Sequence, residues 1–273
     1  MKAASFDYTC PLDVGQALSA LANAPGEAKL IAGGQSLGPM LNLRLVRPAL
    51  LVDISRLSEL QRVEDQREQV FIGAGVTHAA IEDGAVNGYP MLQLVAASIA
   101  YRAIRNRGTI GGSLAHADPA ADWLLVFAAL GASISILSSK GRRSISAADF
   151  MQAAFTTALG EDELIEGISV PRLSARARWG FYKFCRKTGE FPMASAAVVL
   201  DPVRGTHCIY AGALDGTPQA LVSLAQRVAK EGASAATIEV VTADLAAALP
   251  GMDVARRNLH AMVVHRTLEQ VFA

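Results

Sequence analysis

The chain has 273 residues, 51% of them hydrophobic and only 18% charged, with 25 basic side chains balancing 25 acidic ones. That length buries a sizeable core in one large domain or two smaller ones, and the apolar excess predicts surface covered by other subunits. A net charge of zero provides no electrostatic footprint for nucleic acid or an anionic membrane.

The elements follow in chain order. Asp13 with Gln16 three residues later forms a capping-box pattern that opens a short helix. Lys29–Ala32 and Ala49–Ile54 read as strands, and a polar stretch, Ser55–Gln69, separates them from a third at Val70–Ile72. Thr77 is placed to cap a helix through Ile81. Pro90–Ala97 and Asp118–Leu130 read as helices, Ala132–Leu137 as a strand, and Glu163–Val170 as a strand ending at Pro171. Leu173–Arg178 has linker character. Beyond it come strands at Trp179–Phe184, Ala194–Leu200 and Cys208–Leu214. Helices follow at Pro218–Lys230, Ser234–Ala248 and Asp253–Phe272. The C-terminal part reads as an α+β unit, a sheet covered on one face by helices.

Two segments point to chemistry. Leu30-Ile31-Ala32-Gly33-Gly34-Gln35-Ser36-Leu37 runs from an apolar strand into paired glycines. Small residues there expose several N–H groups toward one point, a concavity suited to an anion such as phosphate, and Ser36 adds a hydroxyl. Alone, the pattern is more often an ordinary strand-to-loop bend. Thr109-Ile110-Gly111-Gly112-Ser113 repeats it. Asp118 follows as a helix cap, with Pro119 at the first helical position. Two such loops fit the two phosphates of a dinucleotide. Asp122 is placed to accept from ribose or adenine-side hydroxyls, or else is a solvated first-turn carboxylate.

Other features carry less. Phe71-Ile-Gly73-Ala-Gly75-Val-Thr-His78 lacks the third glycine of a dinucleotide fingerprint and reads as a strand-to-helix turn. His78, His116, His260 and His265 have no partner at ligand spacing, so structural roles are expected. Arg102, Arg105 and Arg107 read as a solvated or interface patch. Cys10, Cys185 and Cys208 lie outside metal-ligand spacing, which argues for a reducing compartment and against a metal or iron–sulfur site on this chain. The N-terminus does not read as a secretory signal. The longest uncharged run, Trp123–Ser139, is too short for a membrane span. A soluble cytoplasmic protein is expected.

The quoted motifs, AGGQSLGPMLNLRL followed by VDI, then IRNRGTIGGSLAHADPAADW, resemble the FAD-binding medium subunit of molybdenum hydroxylases. These are the flavoproteins of carbon monoxide dehydrogenases and bacterial xanthine dehydrogenase relatives. The resemblance covers essentially the whole chain. It implies an α+β, two-subdomain FAD-binding fold of the vanillyl-alcohol-oxidase and p-cresol-methylhydroxylase type. That fold would occupy residues 1–172, with subdomains of about 1–55 and 56–172, and a C-terminal α+β domain would span 173–273.

FAD would be bound without a covalent link. Leu30 to Leu37 would wrap its pyrophosphate, Thr109 to Ser113 would form the second wall, and Asp118 would open the helix that carries Asp122 to the adenosine part. Ile165 would meet the flavin through its backbone, and Ile99 matches a position where a larger side chain packs on the ring. Lys183 would lie near the ring as a cation favouring the reduced anionic flavin.

Implied partners are a small subunit with [2Fe–2S] clusters and a large subunit with a molybdopterin-type molybdenum cofactor, in a dimer of heterotrimers serving an external electron acceptor. Gln35, Trp123 and Glu190 depart from the common histidine, leucine and aspartate. No extra iron–sulfur cluster is expected, because the cysteine-bearing insertion of some relatives is missing. A free-standing flavoenzyme would need an acid/base pair for its own substrate, and a flavin-less assembly subunit would not need bare Gly-Gly loops.

Overall fold

The computed structural model describes residues 2–273. The chain begins with β1 (Asp7–Thr9), α1 (Val14–Ala22), β2 (Ala28–Ile31), α2 (Leu37–Asn42) and β3 (Leu50–Asp53). The strands form a parallel sheet in the order β1-β3-β2. Parallel pairing follows from the crossover, since α2 carries the chain from the end of β2 back to the start of β3. Asp13 caps α1 as expected. Its carboxylate accepts the Gln16 N–H at 2.7 Å and the Gln16 side-chain amide at 2.8 Å. Val14, Ala17 and Leu18 on α1 pack with Val52, Leu57, Leu60 and Leu164 in a small core.

The next stretch contains β4 (Val63–Asp65), β5 (Gln69–Gly73), α3 (His78–Glu82), α4 (Pro90–Ser98), α5 (Arg102–Arg105), α6 (Ile110–His116) and α7 (Asp122–Ala129). It continues with β6 (Ser133–Ser138), β7 (Gly141–Ser146), α8 (Ala147–Phe150), the hairpin β8 (Met151–Ala153) and β9 (Thr156–Thr157), and β10 (Leu164–Pro171). An antiparallel sheet in the order β4-β5-β10-β6-β7 forms its frame. The two outer strands, β4 and β7, fall in largely polar stretches of the sequence. Each has a single half-buried apolar residue, Val63 or Ile145, and is held by an inner neighbour rather than by its own pattern. Every residue of α7 is buried, as befits a helix apolar on nearly all sides.

Leu173 to Ala177 connect to the last unit without regular structure. The connection is pinned, because Ser174 donates its N–H and hydroxyl to the buried Asp201 carboxylate at 2.7 and 2.6 Å. That unit comprises β11 (Arg178–Phe184), β12 (Ala194–Asp201), β13 (Thr206–Gly212), β14 (Gln219–Ala220), α9 (Val222–Glu231), α10 (Ile238–Ala248) and α11 (Val254–Phe272). The sheet is antiparallel, in the order β11-β12-β13-β14.

Its cover differs from expectation. Ala194, Ala196 and Val198 pack under the three helices, but Ala197 and Val199 join the core built around α7. Both faces are therefore buried, and all eight residues of β12 are buried with them. The helices also begin later than the sequence suggests. Gln219 and Ala220 are taken into β14, and Thr237 rather than Ser234 opens α10. Among the described residues no helix is long and apolar enough to cross a membrane.

Candidate functional site

Between β2 and α2 the chain makes a tight concave loop. Gly34 has φ +71°, a left-handed conformation that favours glycine. Gly33 lies against the chain entering α6. A Cβ there would sit 2.0 Å from the Arg107 carbonyl oxygen and 2.9 Å from Gly108 Cα. The five consecutive amides from Gly33 to Leu37 donate to no acceptor within the chain, while the Gly38 and Met40 amides are already engaged by Gly34 and Ser36 carbonyls. Ser36 is exposed and its hydroxyl makes no capping bond. The Gln35 side-chain amide folds back to the Gly33 carbonyl at 3.2 Å, and the Arg107 guanidinium donates to the same oxygen at 3.3 Å. A row of free N–H groups, a free hydroxyl and a neighbouring guanidinium make a concavity chemically fitted to a phosphate. Leu30, Ile31 and Ala32 form the half-buried strand end behind it.

The second glycine segment is not a loop. Thr109 is the N-cap of α6, so Ile110 to Ser113 are its first turn. Their amides are spent inside the protein, on the Val76 and Ala74 carbonyls, the Thr109 hydroxyl and the Thr109 carbonyl. Gly111 is there for packing, since a Cβ would lie 2.5 Å from Ala74 Cβ and 2.8 Å from its carbonyl oxygen. What this segment presents outward is the exposed Gly112 and the Ser113 hydroxyl. The sequence reading of a second donor loop is corrected accordingly.

Asp118 is likewise not the cap of the following helix. Its carboxylate accepts the Ala120 N–H at 2.9 Å and closes a turn, while α7 starts at Asp122 behind Ala121. Pro119, Ala120 and Ala121 intervene because the Asx turn at Asp118 competes successfully with helix initiation.

Asp122 is not a solvated carboxylate either. It is buried, and Lys183 on β11 donates to its Oδ2 at 2.6 Å. Asp122 Oδ1 is buried without any partner. Burial pushes this carboxyl up, and the Lys183 charge opposes the shift. The lysine is thus not the uncompensated cation that the sequence suggested. The tertiary fold places the carboxylate of α7 against it.

Ile165 is buried beside a bulge in β10, where the register slips between Ile165 and Gly167. The extra residue, Glu166, accepts from Arg142 twice at 2.7 Å, from Ser135 at 2.9 Å and from Arg62 at 3.0 Å. Burial pushes the Glu166 carboxyl up, but these donors hold it below the ordinary carboxylate range. Its carbonyl receives the Ala74 N–H, and the Ala74 carbonyl receives that of Gly111, so the bulge and the start of α6 are joined. Ile99 is half-buried and begins a turn to Tyr101.

The arginine cluster is a surface patch only in part, since Arg102 and Arg107 are exposed and Arg105 is not. Arg105 is buried on Glu82, Arg102 pairs with Glu82 and Asp83, and only Arg107 reaches the glycine loop. His78 is buried, accepts from Trp123 Nε1 at 3.1 Å, and lies so close to Gly108 that a Cβ there would meet its ring at 2.8 Å. The reach of Arg107 to the glycine loop and the role of Glu166 are not legible in the sequence because their partners are 74 and 24 to 104 residues away.

A phosphate-fitted loop in a two-sheet α+β unit, closed by a third sheet that contributes a buried ion pair, defines a dinucleotide-binding class of protein. Residues 4–173 match the family described as the FAD binding domain in molybdopterin dehydrogenase. The nicotine 6-hydroxylase medium subunit of Paenarthrobacter nicotinovorans is 38% identical over 202 residues, 73% of this chain and 70% of that protein. The carbon monoxide dehydrogenase medium chain of Hydrogenophaga pseudoflava is 38% identical over 71% and 69% of the two chains. In structure, the chain resembles quinoline 2-oxidoreductase from Pseudomonas putida 86 with a TM-score of 0.87 at 30% identity, over 99% of this chain and 98% of that one. The chain therefore belongs to the FAD-binding medium subunits of the molybdenum hydroxylase family, a family of oxidoreductase subunits.

Proposed function

We propose that the chain is the electron-transfer subunit of a heterotrimeric molybdenum hydroxylase in the cytoplasm. It would take electrons from [2Fe–2S] clusters on a small subunit and deliver them to an external acceptor. The organic substrate would be oxidised on a large subunit, and two heterotrimers would pair. The observation that carries this reading is the row of five unspent amides from Gly33 to Leu37 beside Arg107. Glycines that press on protein backbone need no ligand, whereas five consecutive amides without a protein acceptor are matched by an anion.

Bound FAD supplies the redox chemistry, since a flavin accepts and releases electrons singly or in pairs. The chain supplies position. The Gly33–Leu37 amides and the Ser36 hydroxyl would hold the pyrophosphate, with Arg107 offsetting its charge. The Thr109–Ser113 turn would form the facing wall through Gly112 and Ser113. Asp122, whose Oδ2 takes the Lys183 ammonium at 2.6 Å, would lie on the Lys183 side of the cleft and fix that side chain, rather than meeting the adenosine part at the other end of the dinucleotide. Ile99 and Ile165 would border the ring. Lys183, neutralised by Asp122, would act there as a hydrogen-bond donor rather than as a bare charge.

The test is an absorbance spectrum of the purified protein before and after acid precipitation, with the released chromophore identified by chromatography. FAD near one per chain is expected. A folded chain that carries no flavin, even when produced with its partner subunits, overturns the proposal.

A further inference from the structure

The arginine cluster ahead of α6 has a role that the flavin site does not by itself require. Arg105 is 9% exposed. Its guanidinium grips Glu82 with a fork, Nε and Nη2 donating at 2.8 and 2.9 Å. The remaining nitrogen, Nη1, donates to two backbone carbonyls, Ile99 at 2.9 Å and Ala100 at 3.1 Å. Those carbonyls belong to a strained turn. Ala100 has φ +43°, a left-handed conformation that costs a residue with a Cβ and persists only where its surroundings impose it.

This turn occupies a junction. On one side, Gly189 of the β11–β12 connection fits against it so closely that a Cβ would lie 3.2 Å from the Ala100 carbonyl oxygen and 3.1 Å from the Tyr101 ring. The strand leading into that connection carries Lys183. On the other side, α5 starts directly after the turn and ends at Arg105, and beyond Asn106 the residues Arg107 and Gly108 form the backbone on which Gly33 rests. The turn thus touches the element that bears Lys183 and is hinged to the amide cradle by four residues of helix.

We infer that Arg105 is a positioning residue for the flavin. By holding the Ile99–Ala100 carbonyls it fixes the strained turn, and so the distance between the phosphate cradle and the Lys183 side of the cleft. The inference rests on the FAD reading above. A lysine cannot do the same work. It retains the charge opposite Glu82, but it is a point donor that cannot grip a carboxylate and two carbonyls at once.

The experiment uses the full chain, stripped of flavin and titrated with FAD by fluorescence, alongside thermal unfolding. Four proteins are compared: wild type, Arg105→Lys, Ala100→Gly, and the double variant. Arg105→Lys is expected to weaken FAD binding by about 5- to 30-fold, the equivalent of one left-handed alanine released. Glycine adopts that conformation freely. Ala100→Gly alone should therefore match or exceed wild-type stability, and in the double variant it should recover most of the lost affinity.

A double variant no better than Arg105→Lys overturns the inference, as does an Arg105→Lys protein that is less stable yet binds FAD normally. Should Arg105→Lys fail to fold, Ala100→Gly decides: a clear loss of stability shows that the turn is not strained. A wild-type chain that takes up no FAD refutes the flavin reading itself, a result distinct from all of these.

Discussion

Replacing Gly33 with alanine is the sharpest perturbation of the cradle. The new methyl would lie 2.0 Å from the Arg107 carbonyl oxygen, 2.6 Å from the carbonyl carbon and 2.9 Å from Gly108 Cα. All three are backbone atoms, so no side chain can swing aside. Ordinary contact for such an atom begins near 3.4 Å, and the loop and the chain entering α6 must separate by about 1 Å or more. Overpacking of this kind costs about 1–3 kcal/mol of stability. The larger effect falls on the ligand. A hydrogen bond from a backbone amide to a charged oxygen contributes about 1.5–3 kcal/mol. Loss of alignment at one amide therefore lowers FAD affinity by about 10- to 150-fold. Fluorescence titration of the flavin-free chain measures it, with thermal unfolding in parallel. Gly216→Ala is the control, since a Cβ there meets nothing within 4 Å. A Gly33→Ala protein with wild-type FAD affinity would refute the cradle.

Two further outcomes are expected. Burial, aided by the Arg105 charge, pushes the His78 ring down to about 4, whereas an unfolded histidine titrates near 6.5. Between those values the unfolded chain binds the extra proton, so stability rises with pH across the window and is lost as pH falls through it. About 3 kcal/mol is at stake, and His78→Gln should flatten that part of a denaturation–pH profile. Lys183→Met leaves the Asp122 carboxyl buried and unpaired, with an expected loss of about 3 kcal/mol. Adding Asp122→Asn should restore most of it in chemical denaturation, and a strictly additive double variant would show that the two side chains are not coupled.

The elements that announce themselves in this sequence do so through local chemistry. Asp13 with Gln16, and Thr77, each cap the helix that their position predicts, because a side-chain oxygen three residues from an orphan amide needs nothing distant. The apolar runs of β5, β6, β10 and β12 are likewise legible, since their burial is written in their own residues. The Gly33-Gly34 pair is legible for a similar reason: few side chains tolerate φ +71° or a neighbouring backbone at 2.0 Å.

What the tertiary structure alone decided concerns groups whose partners are remote. Gly111 looks like a phosphate-binding glycine, yet its need is steric, set by Ala74. Asp122 and Lys183, 61 residues apart, read as two separate polar residues and become one buried pair. Arg105 reads as part of a surface patch because its two neighbours in charge, Arg102 and Arg107, are close in sequence, whereas its burial on Glu82 depends on how α3 and α5 meet. Strands β4 and β7 exist because an inner strand offers them a free edge, which no pattern within their own few residues records. Local spacing fixes caps and turns; only the assembled sheets fix which face of a glycine is crowded and which charge is neutralised.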